Sequence, residues 1–105
     1  FPNYLINQDG PSAGLGITIG IISCAQKKDL PNNIAFTGEI DVRGNVLPIG
    51  GLREKLTAAY INGIRRVYIP KRNFSDLDTV PNKIKTNLKI FLVNHYTDVE
   101  RKIWN

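Results

Sequence analysis

The stretch Asp9-Gly10-Pro11-Ser12-Ala13-Gly14 constrains this chain more than any other, because it places a serine in a tight turn directly before a long apolar run. Pro11 and Gly14 favour a sharp bend around Ser12, so its hydroxyl can be exposed at a point where a helix can begin. The simplest interpretation is that Ser12 caps this helix. A second interpretation depends on a lysine further along the chain.

The apolar run 15–25 has an ambiguous pattern. Isoleucine at every second position is typical of a strand, whereas the length of the run and the serine before it favour a helix. Gly16 and Gly20 would each weaken a helix by about 1 kcal/mol. A helix here would be apolar on all sides, which predicts complete burial, with Cys24 as a small buried side chain.

Two extended runs, 34–42 and 46–49, follow. Gly44-Asn45 between them predicts a two-residue type II′ hairpin turn, and Pro48 predicts that the second strand ends there or lies at an edge. Residues 52–61 form the clearest helical pattern, with Asn62-Gly63 as its stop signal.

The remaining third of the chain predicts strands at 65–69 and 88–93 and a turn or single helical turn at 73–78. Thr97-x-x-Glu100 predicts a capping box for a last helix through Trp104. His95 and Trp104 are expected to be a polar loop residue and a packing anchor. Alternating strands and helices indicate an α+β or two-layer α/β fold, and the length of residues 1–105 fits one domain or part of one.

Composition excludes several classes of function. The net charge is +5, but the basic residues are scattered without interleaved aromatic residues, so nucleic-acid binding is not expected as the main role. One cysteine and one histidine provide too few soft ligands for a metal site, and a lone cysteine favours a reducing compartment. No segment approaches the roughly 20 apolar residues that cross a membrane.

A lysine occupies the apolar face of the predicted helix 52–61. The positions on that face are Leu52, Lys55, Leu56 and Ala59. An ammonium group that loses its water is disfavoured relative to the neutral amine, and a neutral amine can act as the general base that a serine nucleophile needs. The alternative is that Lys55 extends along the apolar face to reach water.

Three segments together resemble one family: Asp9 to Gly14, Thr37-Gly38-Glu39, and Gly44-x-Val-Leu-Pro-Ile-Gly-Gly-Leu-Arg-Glu-Lys55. Their order and spacing are similar to the proteolytic domain of Lon, the ATP-dependent serine protease, over nearly the entire chain. The resemblance implies that the domain is part of a ribosomal-protein-like βα superfold. It also implies that residues 1–105 are the C-terminal portion of a Lon-type proteolytic domain. It also implies a helix over 13–26 that begins just after Ser12.

The resemblance further implies a serine–lysine dyad. Ser12 corresponds to the nucleophile and Lys55 to its base, and the Thr37 hydroxyl would hydrogen-bond the lysine amine. Asp9 corresponds to an aspartate that influences whether the site is open. The turn residues expected around the oxyanion are Gly10, Pro11, Ala13 and Gly14.

The resemblance also implies partners. Lon enzymes form homo-hexamers that degrade unfolded polypeptide, driven by a covalently linked AAA+ ATPase domain that binds ATP and Mg. This chain has no phosphate-binding loop of the form Gly-x4-Gly-Lys-Ser/Thr, so no cofactor is expected within it. We expect the mitochondrial matrix as the compartment, with the bacterial cytoplasm as the alternative.

Two other interpretations stay open from the sequence. The chain could be a non-catalytic Lon-like assembly module. Alternatively, Gly14-Leu15-Gly16 resembles the phosphate-binding loop of small-molecule kinases, although that chemistry gives no reason for Lys55 on an apolar face.

Overall fold

A computed structural model describes residues 14–104 of the chain. The helices among them are α1 (Gly14–Gln26), α2 (Leu52–Ile61), α3 (Asn82–Asn87) and α4 (Tyr96–Trp104), together with a 3₁₀ helix, Lys71–Thr79. The strands are β1 (Ile34–Phe36), β2 (Glu39–Ile40), β3 (Val46–Leu47), β4 (Arg66–Pro70) and β5 (Lys89–Val93). The predicted mixture of helix and strand is confirmed.

The centre of the fold is a parallel sheet in the order β1-β4-β5, beside an antiparallel pair formed by β2 and β3. Successive side chains of β4 point to opposite faces of the sheet, as in any strand. Tyr68 joins a buried cluster with residues of α1 and α4, whereas Val67 and Ile69 join a second cluster with α2, α3 and the 3₁₀ helix. Helices therefore cover both faces of the central strand.

An aromatic row crosses the first of these faces. Tyr68 stacks between Phe36 on β1 and Phe91 on β5, with ring centroids 5.3 Å and 4.7 Å away. The strand register places the three residues side by side. Burial raises the pKa of the Tyr68 phenol, although the nearby charge of Arg66 opposes this change. The stacked rings favour the observed register of β1 with β4. This register also sets the position of Thr37, which directly follows Phe36.

The run 15–25 is a helix, but the prediction that it is buried on all sides is wrong. Leu15 and Ile19 are fully buried, whereas Ile17 and Ile21 are 47% and 63% exposed. Cys24, predicted to be buried, is exposed. The reason is that α1 lies on one face of the sheet and presents only one of its sides to the core.

The predicted hairpin turn is also wrong in detail. The run 34–42 breaks into β1 and β2, and the turn to β3 is a three-residue loop closed by a hydrogen bond from the Asp41 N–H to the Asn45 C=O (3.0 Å). Gly44 in this loop has φ +87°, a value that favours glycine. The Asp41 carboxylate organises the loop by accepting hydrogen bonds from the N–H groups of Arg43 and Asn45, both at 2.9 Å. The backbone hydrogen bond from Asn45 is the main reason that the pKa of Asp41 is lowered.

Helix α2 and its stop signal are confirmed. Gly63 has φ +81°, and its N–H donates to the C=O of Tyr60 at 3.2 Å, while the Ile64 N–H donates to the C=O of Ala59 at 3.0 Å. This pair of bonds is a Schellman motif, which satisfies carbonyl groups that the end of a helix leaves unpaired.

The C-terminal third departs further from prediction. The turn expected at 73–78 is a nine-residue 3₁₀ helix, and α3, which follows Pro81, was not predicted. Helix α4 begins at Tyr96, so Thr97 does not cap it, and the predicted capping box is wrong. Instead, the Asp98 carboxylate accepts hydrogen bonds from the N–H groups of Asn94 and His95, at 2.8 Å and 3.0 Å.

Candidate active site

The predicted site residues divide into two sets. Those outside the described residues are Asp9, Gly10, Pro11, Ser12 and Ala13, and those within them are Gly14, Thr37 and Lys55. The first set therefore stays a prediction. The structure gives the positions of the second set.

The N-terminus of α1 lies against the junction between β1 and β2. A Cβ atom added at Gly14 would come within 3.2 Å of the Glu39 Cα and of the Ile40 N, both backbone atoms. The next residue, Leu15, donates its N–H to the C=O of Gly38 at 2.8 Å. A side chain at Gly14 would require the neighbouring backbone to shift by a few tenths of an ångström, so glycine favours this close approach of the helix start to the sheet.

Thr37 occupies the same junction. Its backbone N–H donates to the C=O of Tyr68 at 3.0 Å, which continues the pairing of β1 with β4 by one residue. The residue is only 6% exposed. Its Oγ1 is buried and has no hydrogen-bond partner in the described structure. The predicted hydrogen bond to Lys55 is therefore not made here, but the hydroxyl is free to make one.

Gly38 explains why the chain turns immediately after Thr37. It has φ +126°, and an added Cβ would lie 2.8 Å from the Val46 Cγ1 and 3.2 Å from the Pro70 Cγ. A side chain at this position would therefore both strain the backbone and collide with β3 and the end of β4. The bend delivers the Gly38 carbonyl to Leu15 and leaves Thr37 at the end of β1.

The sequence predicts Lys55 on the apolar face of α2, and the structure places it at the margin of the buried face. Leu52 and Leu56 are 3% and 0% exposed, whereas Lys55 and Ala59 are half-buried. The Lys55 backbone N–H donates to the C=O of Gly51 at 3.0 Å, in the first turn of the helix. The backbone position of Lys55 therefore depends directly on the loop before α2.

Sequence reasoning missed one buried polar residue beside this loop. Asn73, on the 3₁₀ helix, is 2% exposed. Its Oδ1 accepts from the Ile49 N–H at 2.9 Å, and its Nδ2 donates to the Ile49 C=O at 2.8 Å and to an Asp76 carboxylate oxygen at 2.7 Å. The available signal was weak, since asparagine in a predicted turn usually satisfies its own backbone.

The described candidate residues come from three different elements. The start of α1 and the buried Thr37 hydroxyl lie beside the bend at Gly38, and the half-buried Lys55 lies on α2. Within residues 14–104, no three His, Cys, Asp or Glu side chains cluster in a way that could hold a metal ion. Over the same residues, no helix is long and apolar enough to cross a membrane.

Comparison with known proteins gives consistent matches. Residues 1–104 match the model of the family described as Lon protease (S16) C-terminal proteolytic domain. Lon protease of Metamycoplasma arthritidis is 48% identical over 98% of this chain, that of Haemophilus influenzae 46% over 93%, and that of Clostridioides difficile 45% over 93%. The chain spans 12% of the length of each of these three relatives.

These matches bear on the interpretations that the sequence left open. The three relatives are bacterial, so the predicted mitochondrial location gains no support from them. The family model and the three relatives are of Lon protease, which favours a Lon-like interpretation over the kinase-type phosphate loop suggested by Gly14-Leu15-Gly16. Because one family's model covers almost the whole chain and its relatives exceed 40% identity, the chain belongs to the family of Lon protease C-terminal proteolytic domains.

Proposed function

We propose that this chain carries the peptidase site of an ATP-dependent Lon-type protease, with Ser12 as nucleophile and Lys55 as general base. The observation that supports it most is the buried, unpartnered hydroxyl of Thr37 at the end of β1, beside the start of α1. Leaving a buried hydroxyl unpaired costs about 1–3 kcal/mol. A lysine amine that reaches this hydroxyl would remove that cost and would itself be held in one position.

The reaction is acyl transfer. The Ser12 Oγ attacks the peptide carbonyl carbon as its proton passes to the Lys55 amine, which forms a tetrahedral oxyanion. The C–N bond then breaks, and the protonated lysine delivers its proton to the leaving amine. The neutral Lys55 amine then takes a proton from water as the water oxygen attacks the carbonyl carbon of the serine ester. The ester C–O bond breaks, the protonated lysine returns its proton to the Ser12 Oγ, and the new carboxyl group is released.

The start of α1 supplies the environment for the oxyanion. Ser12 precedes Gly14, the first residue of α1, by two residues in the sequence. The Leu15 N–H is already bonded to Gly38, so it is not a donor for the oxyanion. The donors must be earlier N–H groups, among which Pro11 has none. The positive end of the α1 dipole favours negative charge there.

We further propose the setting of this site. The relatives are about eight times longer than this chain, so the ATP- and Mg-binding AAA+ domain would belong to the rest of a longer protein. The substrates would be unfolded polypeptides, the assembly a homo-hexamer and the compartment the bacterial cytoplasm. Asp9 would influence access to the site.

The test is cleavage of an unstructured fluorogenic peptide by the longest protein that contains this chain. Ser12→Ala and Lys55→Ala are expected to lower kcat by about 100-fold or more, since each removes a reacting group. The control is Lys85→Ala, which removes another half-buried helical lysine, on α3. Cleavage by Lys55→Ala at the parental rate would show that the proposed base is wrong.

A further inference from the structure

We propose that Asn73 is a positioning residue for Lys55: its side-chain amide fixes the loop from which α2 begins, and so holds the lysine in place for reaction. This inference rests on the proposed peptidase function. Asn73 is a positioning residue and not a catalytic one, because it contacts the backbone of Ile49 and the side chain of Asp76.

The geometry of the amide is specific. Asn73 satisfies both backbone groups of Ile49 at once, accepting from its N–H at 2.9 Å and donating to its C=O at 2.8 Å. A second hydrogen of the same Nδ2 is bonded to Asp76 at 2.7 Å, which fixes the orientation of the amide. Three hydrogen bonds on a residue that is 2% exposed form a satisfied buried network, and such networks rigidify their surroundings.

The two glycines of the loop have few neighbours, whereas Ile49 before them packs against the second core cluster and Leu52 after them is buried. A Cβ added at Gly50 would meet no atom within 4 Å, and one added at Gly51 would meet only a Glu54 side-chain oxygen at 3.8 Å. A surface pocket of about 500 Å³ opens beside the same residues. Two successive glycines with so few neighbours would be mobile unless the residues beside them were held, and the pair of hydrogen bonds from Asn73 fixes the backbone of Ile49, directly before them.

The loop in turn sets the first turn of α2. Gly51, the residue before the helix, has φ 69° and no side chain caps the helix here. Its C=O accepts the N–H of Lys55 at 3.0 Å. Movement at Ile49 therefore reaches Lys55 through only a few backbone bonds.

Asn73 also lies close in sequence to the strand that holds Thr37. Asn73 follows the end of β4 by three residues, and β4 also provides the Tyr68 carbonyl that holds Thr37. One strand and its continuation therefore contact both Thr37 and the loop that precedes Lys55. A displacement of about 1 Å in such an arrangement can cost about 100-fold in rate.

The experiment compares Asn73→Ala with Val99→Ala in the longest protein that contains this chain. Val99 is fully buried in the other core cluster, so its truncation destabilises the fold without touching the loop. Backbone hydrogen exchange is measured over residues 49–56, and kcat and KM are measured across pH with the fluorogenic peptide. Lys55→Ala is included to test the function itself.

For Asn73→Ala we expect exchange over 49–56 to quicken by about tenfold or more beyond any change elsewhere, with kcat lowered about 10- to 100-fold, KM nearly constant and the pH profile of kcat displaced. Val99→Ala should show none of this local pattern. Unchanged exchange over 49–56, or parental kcat in Asn73→Ala while Lys55→Ala is inactive, overturns the inference and leaves the peptidase function standing. Parental activity in Lys55→Ala overturns both.

Discussion

Replacing Thr37 by valine should stabilise the fold while it impairs catalysis. The Thr37 hydroxyl is buried without a partner, and valine has nearly the same shape with a methyl group in its place. The backbone bond from Thr37 to Tyr68 does not involve the side chain and is retained. Removing an unpaired buried hydroxyl avoids a cost of about 1–3 kcal/mol, so we expect the free energy of unfolding to rise by about 1–2 kcal/mol.

The assay is urea unfolding followed by the fluorescence of Trp104, the single tryptophan, together with thermal unfolding. For a domain of this size, 1 kcal/mol corresponds to about 4–8 °C in Tm. Thr57→Val is the matched control, because the Thr57 hydroxyl donates to the Arg53 C=O at 2.7 Å. That substitution should lose about 0.5–1.5 kcal/mol instead, the net value of a hydrogen bond.

Activity provides the second half of the test. If the hydroxyl holds the lysine amine during reaction, Thr37→Val should lower kcat while the fold becomes more stable. A fall in stability equal to or greater than that of Thr57→Val would refute the reasoning, because it would mean that the hydroxyl is already satisfied in the resting protein.

Two further predictions concern the frame around the site. Gly44→Ala should cost about 2 kcal/mol more than Gly63→Ala in urea unfolding: both glycines have positive φ, but the added Cβ would lie 2.6 Å from the His95 Nε2 at Gly44 and would meet nothing within 4 Å at Gly63. Equal costs would contradict the contacts. Partial burial raises the pKa of Asp98, but the N–H donors of the α4 cap and the charge of Arg101 outweigh it and hold that pKa below 3.8. This contribution to stability is present above about pH 4 and is lost as pH falls through the lowered pKa. Asp98→Asn should therefore flatten the pH dependence of unfolding between about pH 5 and pH 2, and an unchanged pH dependence would contradict this account.

The parts of the fold that the sequence predicted correctly are those set by nearby residues. Helix α2 and its Schellman stop at Gly63 depend on a local apolar pattern and a local glycine. The three-residue loop at Gly44 was mispredicted because its geometry depends on a distant contact with His95 as well as on its own residues. Cys24 was mispredicted for a similar reason, since only tertiary packing decides which side of α1 faces the core.

The candidate site shows the same difference between features set by nearby residues and features set by distant contacts. Lys55 could be identified because a lysine on an apolar face contradicts its own helix pattern, and the structure places it at the margin of that face. Asn73 could not be identified in this way, because its partner Ile49 is 24 residues away in sequence and its burial is invisible in a polar segment. Residues 9–13 of the serine turn, which include the proposed nucleophile Ser12, lie outside the described residues.

The start of α1, Thr37 and Lys55 belong to separate elements of the fold. A common support is therefore needed to fix their positions relative to one another. The start of α1 is bonded to Gly38, and Thr37, the residue before it, is bonded to Tyr68 of β4. The loop before α2 is bonded to Asn73, just beyond the end of β4. These connections use backbone groups and the side-chain amide of Asn73. Substitution of the catalytic side chains leaves all of these groups in place. It follows that Ser12→Ala and Lys55→Ala should remove chemistry without unfolding the frame, whereas changes at Asn73 or Gly38 should disturb the frame while every reacting group is still present.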